Sequence, residues 1–319
     1  MCVEFIRSGP DLEDGPDLED GPEPAEGPDL ADAAFTSEFR RIAAEAEEAD
    51  GYHPFNEQSL FDVSAGRRTP LLLADAGHPV GAVVTGRGEL DLVLRPAARR
   101  RGHATAALTA LLPGLPGELT AWSHSDHPGA RALAARFGFT ADRTLLQLRM
   151  SLPAGTGGTS AAAEPVDTPG AATDIGPFLP GTDDAEWVAL NALVFAGHPE
   201  QGALTLTDLE ARQSEPWFDA GDFLLARDRA SSRILGYNWL KIEPGDAVGE
   251  IYVIGVHPDA AGQGLGRRLM LAGLERLRSR GAATAALYVE ADSTGAVHLY
   301  RSLGFADHTV DVQYRRDTR

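Results

Sequence analysis

Apolar positions recur along the chain at two periods, and the same order of periods occurs twice. Phe39, Ile42, Ala43 and Ala46 fall at helical spacing and predict a helix over Phe35–Ala49, stopped by Gly51. Trp187, Leu190 and Val194 predict a second helix over Asp183–Ala196, with Asp183 and Glu186 at capping-box spacing. A hairpin-like pair of strands follows each helix: Leu71–Ala74 with Val80–Val84, turning at Ala76-Gly77, and Phe223–Arg227 with Ile234–Ile242. The first half then reads LDLVLRPAARRRGHATAALTALL and later ARALAARFGF; the second reads IYVIGVHPDAAGQGLGRRLMLAGLERL and later AVHLYRSLGF. Each is an apolar strand, a proline, a Gly- or Arg-rich turn, a helix, another strand, another helix and a closing Gly-Phe. The pattern predicts two α/β repeats, each a mixed, mostly antiparallel sheet covered by helices.

Two stretches break the pattern. GPDLEDGPDLEDGPEPAEGPDL at 9–30 offers almost nothing apolar to bury, so residues 1–33 are expected to form a disordered acidic tail. Residues 151–173 have linker composition. Folded domains are therefore expected at 34–150 and 174–319, lengths ordinary for a domain.

Charge and cysteine content narrow the function classes. The net charge is −19, but residues 9–32 carry ten carboxylates and no basic group, which leaves about −9 (−19 + 10) for the remainder. Such a surface argues against nucleic acid as a partner. No apolar run approaches the length of a membrane span, and no secretory signal pattern opens the chain. Cys2 is the sole cysteine, so an intrachain disulfide is impossible and a reducing cytoplasm is the expected compartment. Lys241 is the single lysine among 28 basic residues, a bias that suggests a high-GC genome.

The strongest chemical signal is the run Ala261-Gly262-Gln263-Gly264-Leu265-Gly266-Arg267, between the strand ending at Val256 and a helix over Arg268–Leu277. Glycines at a strand-to-helix turn let backbone N–H groups converge on an anion at the positive end of the helix dipole, and Arg267 and Arg268 add charge. A pyrophosphate suits that geometry. A dinucleotide site of the Rossmann kind fits less well, because the motif comes late in its half and follows an antiparallel hairpin.

With the later Ser293-Thr294-Gly295-Ala296-Val297-His298-Leu299-Tyr300 and the closing Gly304-Phe305, this pattern resembles the GNAT acetyltransferase superfamily. Ala261 and Ser293 depart from it, where Arg or Gln and Asn are usual. The resemblance implies acetyl-CoA as co-substrate, held in the second half by Ile254, Gly255, Val256, Ala261–Arg267 and Ser293–His298. It implies a second site in the first half at Leu92, Val93, Leu94, Arg100, Arg101, Gly102, His103, Ala104 and Thr105. It also implies Glu250 as general base, the Val256 N–H as oxyanion donor and Tyr300 as general acid. Transfer to an amine needs these three roles: a proton acceptor, an oxyanion donor and a proton for the departing thiolate. Aligning Pro96 with Pro258 puts Gly88 opposite Glu250, and aligning Phe139 with Phe305 puts Ala134 opposite Tyr300. The first half is therefore expected to bind acetyl-CoA without turning it over. Glu89 lies one place away, which reverses its face unless a bulge intervenes.

More specific runs cover nearly all of 35–319. They are EAEEADG through FNEQ at 45–58, FAGHPEQG at 195–202, LGYNWLK at 235–241, GEIYVIGV at 249–256 and LYVEAD at 287–292. Together they resemble the mycothiol synthase family, which acetylates the cysteinyl amine of a cysteinyl-glucosaminyl-inositol. That resemblance implies Glu57, Glu200, Lys241, Glu250 and Tyr288 as substrate contacts. It also implies small-molecule partners only, no metal and a monomer. A tandem GNAT enzyme acting on another amine and a non-catalytic acyl-CoA sensor are the competing readings.

Overall fold

The computed structural model describes residues 3–8, 30–115, 117–153, 173–197 and 201–317. Most of the expected tail and linker, and Glu200 among the expected substrate contacts, lie outside the described residues. The chain divides into two compact units, Met1–Leu145 with Val310–Arg319, and Leu146–Thr309.

Unit 1 runs β1 (Glu4–Ile6), α1 (Leu30–Asp50), α2 (Glu57–Ser64), β2 (Thr69–Asp75), β3 (His78–Gly86), β4 (Glu89–Leu94), α3 (His103–Leu111), β5 (Leu119–Ser123), α4 (Pro128–Phe137) and β6 (Thr140–Ser151) as far as Leu145. β2, β3 and β4 form an antiparallel meander. Its first turn places Ala76 at φ 49° and Gly77 at φ 76°, the positive pair that a tight hairpin needs. The helical stripe of α1, Phe35, Phe39, Ile42, Ala43 and Ala46, packs on one face of the meander against Leu72 and Val84. On the other face, Leu90, Leu108, Leu119 and Phe139 form a second cluster. β1 was not expected: it pairs with β2, Glu4↔Ala74 to Ile6↔Leu72, so an ordered strand opens the stretch read as tail.

Unit 2 takes β6 from Leu146, then β7 (Thr173–Pro177), α5 (Asp184–Val194), α6 (Leu206–Gln213), β8 (Phe223–Asp228), β9 (Ile234–Ile242), β10 (Val248–Val256), α7 (Leu265–Ser279), β11 (Thr284–Glu290) and α8 (Thr294–Ser302), and ends in the first residues of β12 (Ala306–Arg316). From Val310 onward β12 belongs to unit 1, where it pairs with β5, Val312↔Ser123 to Arg316↔Leu119. Each half was expected to keep its own closing strand. The neighbour of a strand is set by what its side chains pack against, here Val312 and Tyr314 in the Leu90 cluster, and alternation alone does not reveal it.

Trp187 of α5 organises one face of unit 2, meeting Phe223, Tyr237 and Trp239 edge-on. Phe223 and Trp239 stack at 4.4 Å. The opposite face packs Ile251, Met270, Leu274, Leu277, Leu287 and Tyr300. The capping box expected at Asp183 and Glu186 does not form. Asp183 instead accepts from the Leu179 N–H and pairs with Arg227, while Glu186 accepts from the Ile234 N–H. The box occurs one helix later, where Thr205 and Asp208 satisfy each other's backbone N–H groups at the start of α6.

Candidate active site

The site is built around a bulge. β9 and β10 pair Glu250↔Lys241 and Ile251↔Leu240, then resume at Val253↔Trp239, leaving Tyr252 as the extra residue. Alternation therefore breaks at Tyr252: Ile251 and Ile254 both join the face with α7 and α8, while Tyr252 and Val253 both join the Trp187 face. The parallel register of β10 with β11 runs from Val248↔Thr284 only to Ile251↔Leu287. Beyond the bulge, the two strands have no paired positions. The His257 N–H bonds to the Leu235 carbonyl on the β9 side. Successive amides alternate, so the Val256 N–H points the other way, toward the gap.

Glu250, Lys241, Tyr252 and Tyr288 share one face of unit 2. Ala285, Leu287 and Val289 of β11 pack with α7 and α8, which turns Tyr288 and Glu290 to the opposite side, where Glu250 and its cross-strand partner Lys241 stand. The Lys241 ammonium lies 5.1 Å from the Trp217 ring centre and 5.8 Å from that of Tyr252, and 3.1 Å from a Glu243 oxygen. Buried Arg212 donates through Nε to the Tyr252 hydroxyl at 2.9 Å, which pins the bulged residue. Gln147 donates to the Tyr288 hydroxyl at 2.6 Å and accepts from Thr309. Trp217, Tyr252 and Arg212 were not singled out from the sequence. The one available signal was the bulge residue itself, which no residue type announces. Glu57 opens α2 in unit 1, half-buried, beside the cap that Asn56 places on the Ser59 N–H.

Tyr300 lies on the α7–α8 face. It is 7% exposed and sits edge-on to Phe305. Burial pushes it up to about 12, so it keeps its proton throughout neutral pH.

The glycine loop has the backbone form expected of an anion-binding turn. Gly262 and Gly264 take φ 74° and 79°, and a Cβ on either would meet nothing within 4 Å. Here glycine serves the left-handed backbone. Gly264 is the N-cap of α7 and no side chain caps that end, which leaves its first N–H groups without a side-chain acceptor. These features fit a pyrophosphate. Leu265 is buried, and a Cβ on Gly266 would lie 3.7 Å from Val256 and 3.8 Å from Leu299, ordinary contact distances. Gln263 donates to the Asp259 carbonyl and Arg267 to Ser302. Arg268, read as added charge for the phosphates, is held by the Thr173 hydroxyl and carbonyl instead. Gly255 is required for space, since a Cβ there would lie 2.7 Å from the Tyr237 ring. Ala261 and Ser293 to Gly295 are exposed, and Val297 packs into the core beside exposed His298.

Unit 1 repeats the loop almost residue for residue. Arg100 at φ 61° and Gly102 at φ 89° stand where Gly262 and Gly264 stand, and Gly102 leaves the N-terminus of α3 without a side-chain cap. Arg100 and Arg101 are exposed and have no partner among the described residues, whereas Arg99 is fully engaged by Asp50 at 2.6 and 2.7 Å. His103 is buried with Nδ1 unpartnered among the described residues, and Ala104 and Thr105 continue the first turn. The preceding Leu92, Val93 and Leu94 lie in β4.

The strands before the loops differ. β3 and β4 pair without a shift from Gly81↔Leu94 to Gly86↔Glu89. With no bulge to consume a residue, Glu89, and not Gly88, occupies the position of Glu250. Its surroundings are different: Arg68, whose side chain is fully buried, bonds Glu89 at 2.7 Å, Asp91 at 2.9 Å and the Ser59 hydroxyl at 2.6 Å. Ala134 does stand in for Tyr300, since its carbonyl accepts from the Phe139 N–H as that of Tyr300 accepts from the Phe305 N–H.

Residues 192–305 match the model of the acetyltransferase (GNAT) family. The chain is 46% identical to the mycothiol acetyltransferase of Clavibacter michiganensis, over 86% of this chain and 89% of that one. It is 43% identical to that of Thermomonospora curvata, over 88% and 93%. A tandem GNAT protein from the clavulanic acid biosynthesis pathway is similar at TM-score 0.65 and 18% identity, covering 90% of this chain and 95% of that one. A GCN5-related N-acetyltransferase from Sphaerobacter thermophilus is similar at TM-score 0.60 and 22% identity, covering 87% and 90%. These likenesses show an α/β fold of the tandem GNAT kind.

Proposed function

The chain belongs to the mycothiol acetyltransferase family, and on that premise we propose that unit 2 transfers the acetyl group of acetyl-CoA to the cysteinyl amine of cysteinyl-glucosaminyl-inositol. The observation that carries the assignment to unit 2 is the common face of Glu250, Lys241 and Tyr288 beside the point where β10 leaves β11. A polyhydroxylated, cationic acceptor needs carboxylates and hydrogen-bonding side chains, and that face supplies them.

The residues divide the work. N–H groups at the start of α7, with Gly262 and Gly264, hold the pyrophosphate of acetyl-CoA. The gap between β10 and β11 admits the pantetheine arm. Glu250 accepts the proton of the amine, directly or through one water, as the amine attacks the thioester carbon. The Val256 N–H donates to the oxyanion that forms. Tyr300, protonated because burial disfavours its phenolate, gives a proton to the departing thiolate. Lys241 and Tyr288 orient the hydroxyl-rich part of the acceptor. Unit 1 binds acetyl-CoA at Arg100–Thr105 but does not transfer it. Its Glu89 is tied to Arg68, and Ala134 has no proton to give.

The test is an amine panel with the purified full chain and acetyl-CoA, reading free CoA thiol and the acetylated product. Efficient turnover is expected with the cysteinyl pseudodisaccharide. Preference for an aminoglycoside or a peptide N-terminus would replace the acceptor, and absence of turnover with every amine would leave a binding protein.

A further inference from the structure

The replacement of Tyr300 by Ala134 has a consequence beyond the missing proton. In unit 2 the Tyr300 ring fills the core beside Phe305. In unit 1 the same helix position carries a methyl group, and a cavity of about 90 Å³ remains there, bounded by Ala134, Phe139, Leu90, Leu92, Leu108 and Ala121. Its lining is mainly apolar. Leu90 and Leu92 come from β4 and Ala121 from β5. Those strands pair only at Glu89↔Thr120. The cavity therefore opens where β4 and β5 diverge, on the side of the sheet that carries α3. An apolar pocket at the reactive end of a thioester site suits the acyl group and nothing charged.

We propose that unit 1 is a binding site for acyl-CoA esters with a short aliphatic chain longer than acetyl, which it holds without transferring. The inference rests on the reading that unit 1 takes a CoA ester at Arg100–Thr105. A dry apolar cavity of roughly 150 Å³ holds a benzene ring, so the unit 1 cavity takes about three or four carbons. Each methylene moved from water into such a cavity strengthens binding about fourfold. Butanoyl-CoA, with two more methylenes than acetyl-CoA, is therefore favoured about fifteenfold.

Isothermal titration of the full chain with acetyl-CoA and with butanoyl-CoA tests this. Two binding events per chain are expected, one indifferent to the acyl group and one about fifteenfold tighter for butanoyl-CoA. Ala134→Phe fills the cavity and should abolish the preference at that site while both events persist. Ala134→Leu, a smaller filling, serves if the aromatic variant does not fold, and circular dichroism reports the fold of each. Two events with no dependence on chain length, or a preference that survives the filled cavity, would overturn the acyl cavity alone. A single event per chain would overturn the reading of unit 1 as a CoA site, and the cavity proposal with it.

Discussion

Glu89 and Glu250 occupy the same strand position in the two units, counted back from Pro96 and Pro258 and allowing one residue for the bulge at Tyr252. Their partners set them apart: Glu250 lies opposite Lys241 across β9, and Glu89 meets the buried guanidinium of Arg68. That guanidinium is shared with Asp91, so Glu89 is part of a buried ion cluster and not an open strand-end carboxylate. One position thus carries the proposed base in unit 2 and a buried ion cluster in unit 1.

Removing Arg68 should therefore cost stability. Arg68→Met leaves Asp91 buried without its cation, and breaking a buried pair in this way costs about 3–5 kcal/mol. Urea unfolding should show a lowered midpoint. A midpoint unchanged within error would mean that the cluster is not what holds α2 to β4.

Lys241 should matter through geometry as well as charge. Lys241→Arg keeps the charge but replaces a compact donor by a planar fork between Trp217 and Tyr252. The expected outcome is a rise in acceptor KM of about tenfold with acetyl-CoA affinity unchanged, one hydrogen bond to a charged group being worth roughly that much. An unchanged acceptor KM would remove Lys241 from the acceptor site.

Tyr300 keeps its proton to about pH 12, so it cannot shape the basic limb of a rate profile measured below pH 10. Tyr300→Phe should lower kcat while leaving that limb in place. The stability effect has a definite sign. The unfolded side chain ionises near 10 and the folded one near 12, so its stabilising effect is complete below pH 10 and lost between about 10 and 12. Alkaline denaturation of the phenylalanine variant should be shallower in that window. A basic limb that vanishes in the variant would place the titration on Tyr300 after all.

Much of this was legible in the residues. The glycine loops, Pro96 and Pro258 and the closing Gly-Phe pairs mark backbone conformations that few other residues adopt, so they located both strand-to-helix turns and both closing helices. The helical stripe of α1 gave its buried face correctly. Three things were not legible. A bulge at Tyr252 changes which residues oppose each other without any signature in composition, so the alignment chose Gly88. Arg68, in a Gly-Arg-Arg run that reads as a charged loop, is buried because Asp91 and Glu89 meet it from another strand. The exchange of strand ends between the units depends on packing partners hundreds of residues apart.

The most direct test compares two glutamines. Glu250→Gln and Glu89→Gln are made separately in the full chain, and kcat for acetyl transfer is measured with acetyl-CoA saturating and its affinity checked by titration. Glu250→Gln is expected to lower kcat by about 10²–10⁴-fold, the usual worth of a general base, with acetyl-CoA affinity unchanged. Glu89→Gln is expected to leave kcat within about twofold, since it touches no reacting atom. Equal losses in the two variants, or a Glu250→Gln enzyme that keeps most of its kcat across the pH range, would contradict the assignment of the chemistry to Glu250 in unit 2.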